Sequence, residues 1–440
     1  MEVLDQIRSA ERYPPEQGRL FEVDRSGAES YSFDRRRKIL VRTVRTAHGD
    51  IDSPVALADW CASAGIESNA DSYDASWLRA RTPPIGSEKR RNTLRVVDMF
   101  SGCGGLSLGI SEAARACGFR TEHPLAIDVN GDALRIFKTN FPGSSVRKED
   151  IAAIFPGNFG DPVSPVERAI ANELGAIDFL VGGPPCQGHS DLNNHTRRSD
   201  PRNSLFLHMA RCAEVLRPNF VIIENVPGVV HDKSNVVQRT ADALRSLGYQ
   251  VATALLRALD LGVPQTRKRF VLVASRTGTV DLLGLTAAPL VAPRSFAWAC
   301  ADLAGQNSNV VFDSAANHSP TNQARINYLF DHDLFDLPNE QRPDCHRLKE
   351  HSYNSVYGRL QSHQPVPTIT RGFGSTGQGR FVHPTERRSL TPHEAARLQF
   401  FPDYFSFADV KRYAMQIIIG NAVPSKLAYA VGVTLLSEIG

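Results

Sequence analysis

Between residues 94 and 275 short apolar runs alternate with amphipathic stretches. LRVVDMF (94–100), HPLAID (123–128), IDFLVGG (177–183), NFVIIENV (219–226) and KRFVLVAS (268–275) have the length and continuous apolar character of strands buried on both faces. The intervening stretches 106–117, 131–140, 204–216 and 235–247 carry helical patterning. Strands alternating with helices at this spacing predict an α/β fold, a mostly parallel sheet with helices on both faces. After Ser275 the alternation stops, and 276–352 mixes histidine, asparagine and proline without a period. Order returns at LTPHEAARLQ (390–399), where Thr391, Pro392 and Glu394 spell an N-cap, a first-turn proline and a capping box. A last helix near 425–438 follows the turn GNAVP (420–424). The leader, 1–92, matches no pattern beyond SPVALADWCASA (54–65), which reads as a helix. The pattern divides the chain into a leader over 1–92, a sheet domain over 93–275 and a second domain that begins at 276.

Composition narrows the class. With 440 residues, 42% apolar and 22% charged, the chain has enough apolar sequence for a sizeable core. The net charge of +3 conceals basic clusters at 35–38 (RRRK), 89–91 (KRR) and 267–269 (RKR), which permit nucleic-acid binding without requiring it. Seven cysteines with no CxxC pair argue against a disulfide framework and against a zinc site, so no metal is expected. No apolar run approaches the ~20 residues of a membrane span, and the acidic, proline-containing start lacks a signal peptide's apolar core. The expectation is a cytoplasmic protein.

Four segments carry candidate chemistry. In VVDMFSGCGGLSLG (96–109) a strand breaks into glycines and restarts as a helix. Gly102, Gly104 and Gly105 allow a ligand to lie against a helix N-terminus, and Asp128, ending the next strand, could hydrogen-bond a ribose. A plain tight turn would look the same, because the strict GxGxxG fingerprint is absent. GGPPCQGHS (182–190) sets Cys186 on a Pro-Pro platform where a sheet would end, which suits a nucleophile as well as an inert thiol. Glu224 in ENVPG (224–228) ends another apolar strand, as a loop cap or as a carboxylate with a task. In QTRKR (265–269), Gln265, Arg267 and Arg269 alternate and would share one face of an extended strand, reaching an anion or a base edge.

In order and spacing these segments, with LTPHEAARLQFFP and GNAVP, resemble the DNA (cytosine-5) methyltransferase family, in its bacterial restriction-modification form, from about Leu94 to Gly440. The resemblance implies a Rossmann-like, S-adenosylmethionine-dependent methyltransferase sheet over 93–275, completed by 416–440, with a smaller target-recognition domain and the late helix over 276–415. It assigns Cys186 as the nucleophile toward carbon 6 of a flipped-out cytosine, with Glu224 at ring nitrogen 3 and Arg269, together with Arg267, at the carbonyl oxygen. It places Phe100, Ser101, Gly102, Cys103, Gly104, Gly105, Asp128, Asp150, Ile151, Asn421 and Val423 around the cofactor. It puts Gln187, Ser190 and Gln265 on the DNA, and RGFGSTGQGRF (371–381), with Arg371 and Arg380, is the most DNA-facing part of the recognition region. The implied partners are double-stranded DNA, bound by a monomer, and a cognate restriction endonuclease. His189, where the family has a phenylalanine-like residue, and DLNNHT (191–196) depart from the pattern. An RNA cytosine-5 methyltransferase and a catalytically silent DNA-binding regulator are the competing expectations.

Overall fold

The computed structural model describes residues 29–59, 67–84, 92–185, 204–286, 290–305, 308–348, 355–407 and 409–438. Strands β1 (Glu29–Asp34), β2 (Ile39–Thr46) and β3 (Gly49–Ala56) form an antiparallel sheet in the leader. Strands β4 (Thr93–Met99), β5 (Arg120–Ile127), β6 (Ser145–Arg147), β7 (Phe179–Gly182), β8 (Phe220–Asn225), β9 (Gln250–Arg257) and β10 (Lys268–Ser275) form a second sheet in the order β6-β5-β4-β7-β8-β10-β9. All pairings from β6 to β8 are parallel, whereas β10 runs antiparallel to both β8 and β9. The sheet is thus the expected α/β architecture with an antiparallel edge. The reversal matters, because it brings the beginning of β10 to the edge where β4, β5, β7 and β8 end.

The helices follow from familiar local signals. Asn130 caps Gly131–Asn140, accepting from the Asp132 and Ala133 amides. Ser164 and Glu167 close a capping box around Pro165–Leu174, a helix absent from the sequence reading. Thr391 and Glu394 close the expected one at Pro392–Leu398. Helix Gly105–Ala116 packs lengthwise on Ser425–Leu436, so the end of the chain completes the layer beside the first glycine turn. Close approach here depends on Gly109, where a Cβ would strike the Ser425 carbonyl and sit 2.5 Å from Cβ of Ala428. One stretch, Arg412–Leu436, has a membrane span's length and a mean hydropathy of 1.3, contrary to the sequence reading. Two-thirds of its window is buried in the fold, and it is split into two helices at Ala422–Pro424.

The leader differs most from expectation. Residues 54–56 end strand β3, not a helix, and 60–66 lie outside the described residues. Asp59 is helical, and the leader's complete helix among the described residues is Ala70–Leu78, capped by Asn69. Leu40, Val55, Tyr73 and Trp77 share one core with Leu108, Phe373, Phe400 and Phe401, so the leader is packed into the body of the molecule. Charges are buried at the same junction: Arg42 reaches Glu112 at 2.8 Å, while Lys426 and Arg294 each reach Asp74 at 2.8 Å. Burial pushes the Glu112 carboxyl up, but Arg115 and Arg42 outweigh it and hold the group below its usual range. Within 276–382 a smaller cluster forms around Ile326, Leu329, Leu337, Val356, Tyr357 and Val382.

Candidate active site at the carboxyl edge of the sheet

The first glycine turn leaves β4 through Phe100, whose φ of +57° is left-handed for a bulky residue, and continues through Gly102 (φ +52°) and Gly104 (φ +96°). Such backbone persists only where the surroundings hold it, and it clusters at ligand sites. Here the Ser101 amide donates to the Ile127 carbonyl at 3.0 Å, and Asp128 Oδ2 accepts from the Gly102 amide at 2.8 Å. Asp128 Oδ1 takes the Asn130 amide, also at 2.8 Å. Burial raises the Asp128 carboxyl, and these amides only partly counter it. Each of its oxygens keeps acceptor capacity for a further donor such as a sugar hydroxyl.

Asp98, at the end of β4, was not singled out in the sequence. It is fully buried, accepts from Ser107 Oγ at 2.6 Å, and is pushed up to about 7 by burial, with Asp128 adding to the effect. Its Oδ1 and Ser101 Oγ have no partner among the described residues. Buried polar atoms beside an open glycine turn fit a polar ligand at this place. Cys103 is buried and its thiol pushed up to about 12 by burial, so it packs and does not react. Gly105 lies so close to the Val423 carbonyl that a Cβ would collide with it, which brings the closing turn beside the first motif as expected. Asn421 is exposed at the end of helix Arg412–Asn421. Asp150 caps Ile151–Ile154, accepting from the Ala152 amide at 2.9 Å, with Ile151 buried behind it.

Two strands along, β7 and β8 pair in register with Gly182 opposite Ile223, so Gly183–Pro184 stand beside Glu224–Asn225. The Asn225 side chain donates through Nδ2 to the Pro184 carbonyl at 3.2 Å, clamping the proline segment to the end of β8. The sequence motif contained this residue, but only pairing of the strands reveals its task. On β10, Val271 faces Glu224, and Arg269, two residues earlier on the same face, puts Nε 2.5 Å from Glu224 Oε1. Both side chains are largely buried, at 13% and 10% exposure. Glu224 Oε2 lies 3.3 Å from where a Cβ of Gly183 would be, so it looks onto the backbone that leads into the thiol motif. Cys186, Gln187, His189 and Ser190 lie outside the described residues.

Three sequence expectations are corrected. Arg267 does not face the edge. It is buried, and its guanidinium donates to the carbonyls of Ile369 at 2.9 Å and Ala422 at 3.1 Å, the latter just past the end of helix Arg412–Asn421. A cation suits that negative helix end. Gln265 is buried too, donating to the Leu398 carbonyl and Gln399 Oε1 while accepting from the Ile369 amide. The strand begins only at Lys268, so the alternation through 265–269 does not carry all three side chains to one face. Arg380 is engaged by the Phe335 and Arg359 carbonyls and by Asp336, which ties it into its own domain. Arg371 remains exposed.

A seven-stranded sheet of this order, with a glycine turn after its first strand and a carboxylate–guanidinium pair at the same edge, defines a Rossmann-like α/β protein with a ligand site at the carboxyl ends of its strands. Residues 94–437 match the family described as C-5 cytosine-specific DNA methylase. The chain is 48% identical over 357 residues to the Type II methyltransferase M1.BsuMI of Bacillus subtilis, covering 81% of this chain and 83% of that one. It is 31% identical to the Type II methyltransferase M1.HphI of Haemophilus parahaemolyticus, covering 78% and 87%. The fold is similar to that of the S. pombe Dnmt2 methyltransferase, with a TM-score of 0.55 at 18% identity over 78% of this chain and 98% of that one. The chain belongs to the C-5 cytosine-specific DNA methylases, and it is an enzyme that methylates cytosine in DNA.

Proposed function

We propose that the enzyme methylates a cytosine rotated out of duplex DNA, using S-adenosylmethionine and a transient covalent bond from Cys186. A stacked base hides the ring carbon that a thiolate must reach, so the target has to leave the helix. Cys186 Sγ, as thiolate, adds to carbon 6 and makes carbon 5 electron-rich. Glu224, protonated when the base is bound, donates its proton toward ring nitrogen 3, where negative charge builds up, and accepts from the adjacent amino group with its other oxygen, while Arg269 orients Glu224 and helps hold the carbonyl oxygen. S-adenosylmethionine, when bound, supplies an electrophilic methyl group to carbon 5. Loss of the carbon-5 proton to solvent then returns the electron pair to the ring and expels Cys186 as thiolate. Phe100, the turn Ser101–Gly105, Asp128, Asp150, Ile151, Asn421 and Val423 would hold the cofactor, and Asp98 Oδ1 and Ser101 Oγ would be free to meet its polar atoms. The observation that carries this reading is the Glu224–Arg269 pair set beside the Gly183–Pro184 backbone that runs into Cys186.

Residues 276–415 serve as the target-recognition domain, and the likeness to Type II methyltransferases supports a cognate endonuclease as functional partner. Duplex DNA substituted with 5-fluorocytosine tests the chemistry, because fluorine does not leave as the proton does. A covalent protein–DNA complex should accumulate with the native chain and be absent with Cys186→Ala, which should still bind S-adenosylmethionine. Turnover by Cys186→Ala would overturn the mechanism.

A further inference from the structure

The turn between β1 and β2 carries Arg35, Arg36, Arg37 and Lys38, all exposed. The turn is built, not loose: Asp34 Oδ1 accepts from the Arg36 and Arg37 amides at 2.9 and 3.1 Å, and Lys38 takes a left-handed φ of +52°. The hairpin behind it is anchored by Leu40 and Arg42 in the body of the protein.

Its direction can be read from its neighbours. Helix Gly105–Ala116 follows β4, so it starts at the carboxyl edge of the sheet and ends at the amino edge. Helix Ser425–Leu436 runs beside it in the same sense, with Ser425 and Ala428 against Gly109, and Gly432 against Ala113. At the amino edge, the Ala47 amide, just past β2, donates to the Ser437 carbonyl at 3.0 Å. Farther back along β2, the Arg42 guanidinium lies 4.6 Å from the Tyr429 ring centre. Four residues beyond Arg42, at roughly 3.3 Å per residue, the basic turn stands about 13 Å past the level of Tyr429, toward the carboxyl edge.

We propose that this leader turn is a second contact to the DNA backbone, gripping phosphates of the duplex that flanks the target cytosine. The inference rests on the carboxyl edge being the catalytic edge. A duplex presents a phosphate charge every ~1.7 Å of its axis, so DNA delivered to that edge offers acceptors to a rigid basic tip over a wide arc. Arginine and lysine held on a preordered turn bind phosphate without sequence preference.

The test uses the full-length chain and a fluorescent duplex, with affinity measured by anisotropy across a salt series. Arg35, Arg36 and Arg37 are replaced together by alanine. Arg45, Arg120 and Arg245, exposed arginines of the amino-edge half, form a charge-matched control. Every phosphate that is no longer neutralised lowers the slope of log affinity against log salt by about 0.9, so the leader variant should drop by roughly 2–3 in slope and bind about tenfold or more weaker near physiological salt. The control triple should keep the native slope, and methyl transfer by the leader variant on saturating unmethylated plasmid should keep the native rate. Because binding is read apart from turnover, failure of the covalent mechanism leaves this test intact. A native slope in the leader variant would overturn the proposal and assign the turn to an acidic protein surface instead. An equal drop in both triples would overturn it too, as an effect of net charge alone.

Discussion

Arg267 and Arg269 stand two residues apart in a run of basic residues, and their surroundings give them opposite work. Arg269 ends against a carboxylate at the open edge, whereas Arg267 is enclosed and spends its donors on main-chain carbonyls that join three segments. Arg269→Ala should lower the single-turnover rate by roughly a hundredfold or more, the scale of losing one charge-stabilising donor, while the melting temperature stays near native. Arg267→Ala should instead cost roughly 2–3 kcal/mol of stability, since buried carbonyls lose their donor. Thermal melts and methyl transfer measured on both variants check this. A native melting curve for Arg267→Ala with a slow chemical step would return that residue to the active site.

At the level of elements, the junction of Gly105–Ala116 with Ser425–Leu436 links the first glycine turn, the proposed cofactor site, to the end of the chain. Gly109 faces backbone and the Ala428 methyl, neither of which can swing aside like a long side chain. Gly109→Ala should therefore force the helices apart and destabilise the protein by about 1–3 kcal/mol, the usual range for overpacking a close contact. Because the displaced helix begins at the glycine turn, S-adenosylmethionine affinity should fall with it, as calorimetry would measure. Gly248, with nothing within 4 Å of its Cβ position, is not a useful comparison because its φ of +89° strains any side chain. Gly143, equally open and without that φ, is the proper control, and Gly143→Ala should leave both quantities near native.

For the whole molecule, the leader behaves as part of the enzyme's body. Removing 1–92 would strip Leu40, Val55, Tyr73 and Trp77 from a shared core and leave Glu112 without Arg42. The truncated chain should melt well below the native protein and expose apolar surface to a hydrophobic dye, yet any residual activity should methylate the same sequence under the proposed assignment of target recognition to 276–415. Bisulfite sequencing of DNA from expressing cells checks the second half. An altered methylated sequence would move recognition into the leader.

What the sequence determined by itself is local. Continuous apolar runs located β4, β5, β7, β8 and β10, since strands buried on both faces cannot hide their composition. The capping box at Thr391 and the glycine turn at 102–105 were legible because caps and left-handed backbone demand particular residues at particular places. Glu224 and Arg269 could be named as strand-end chemistry, but their ion pair could not. It exists because β10 runs antiparallel to β8, and strand direction is set by how the chain returns through β9. The leader's sheet escaped notice because its strands are rich in arginine, serine and aspartate and include Pro54, and the groups that bury them belong to other elements: Glu112 and Arg115 of Gly105–Ala116, the Ser425–Leu436 helix, and the core around Phe400. Arg267 looked catalytic, and Gln265 and Arg380 looked like DNA contacts, because a basic or polar residue in a motif reads the same whether it faces water or a carbonyl. Only packing decides which, through the cost of leaving a buried donor or acceptor unpaired.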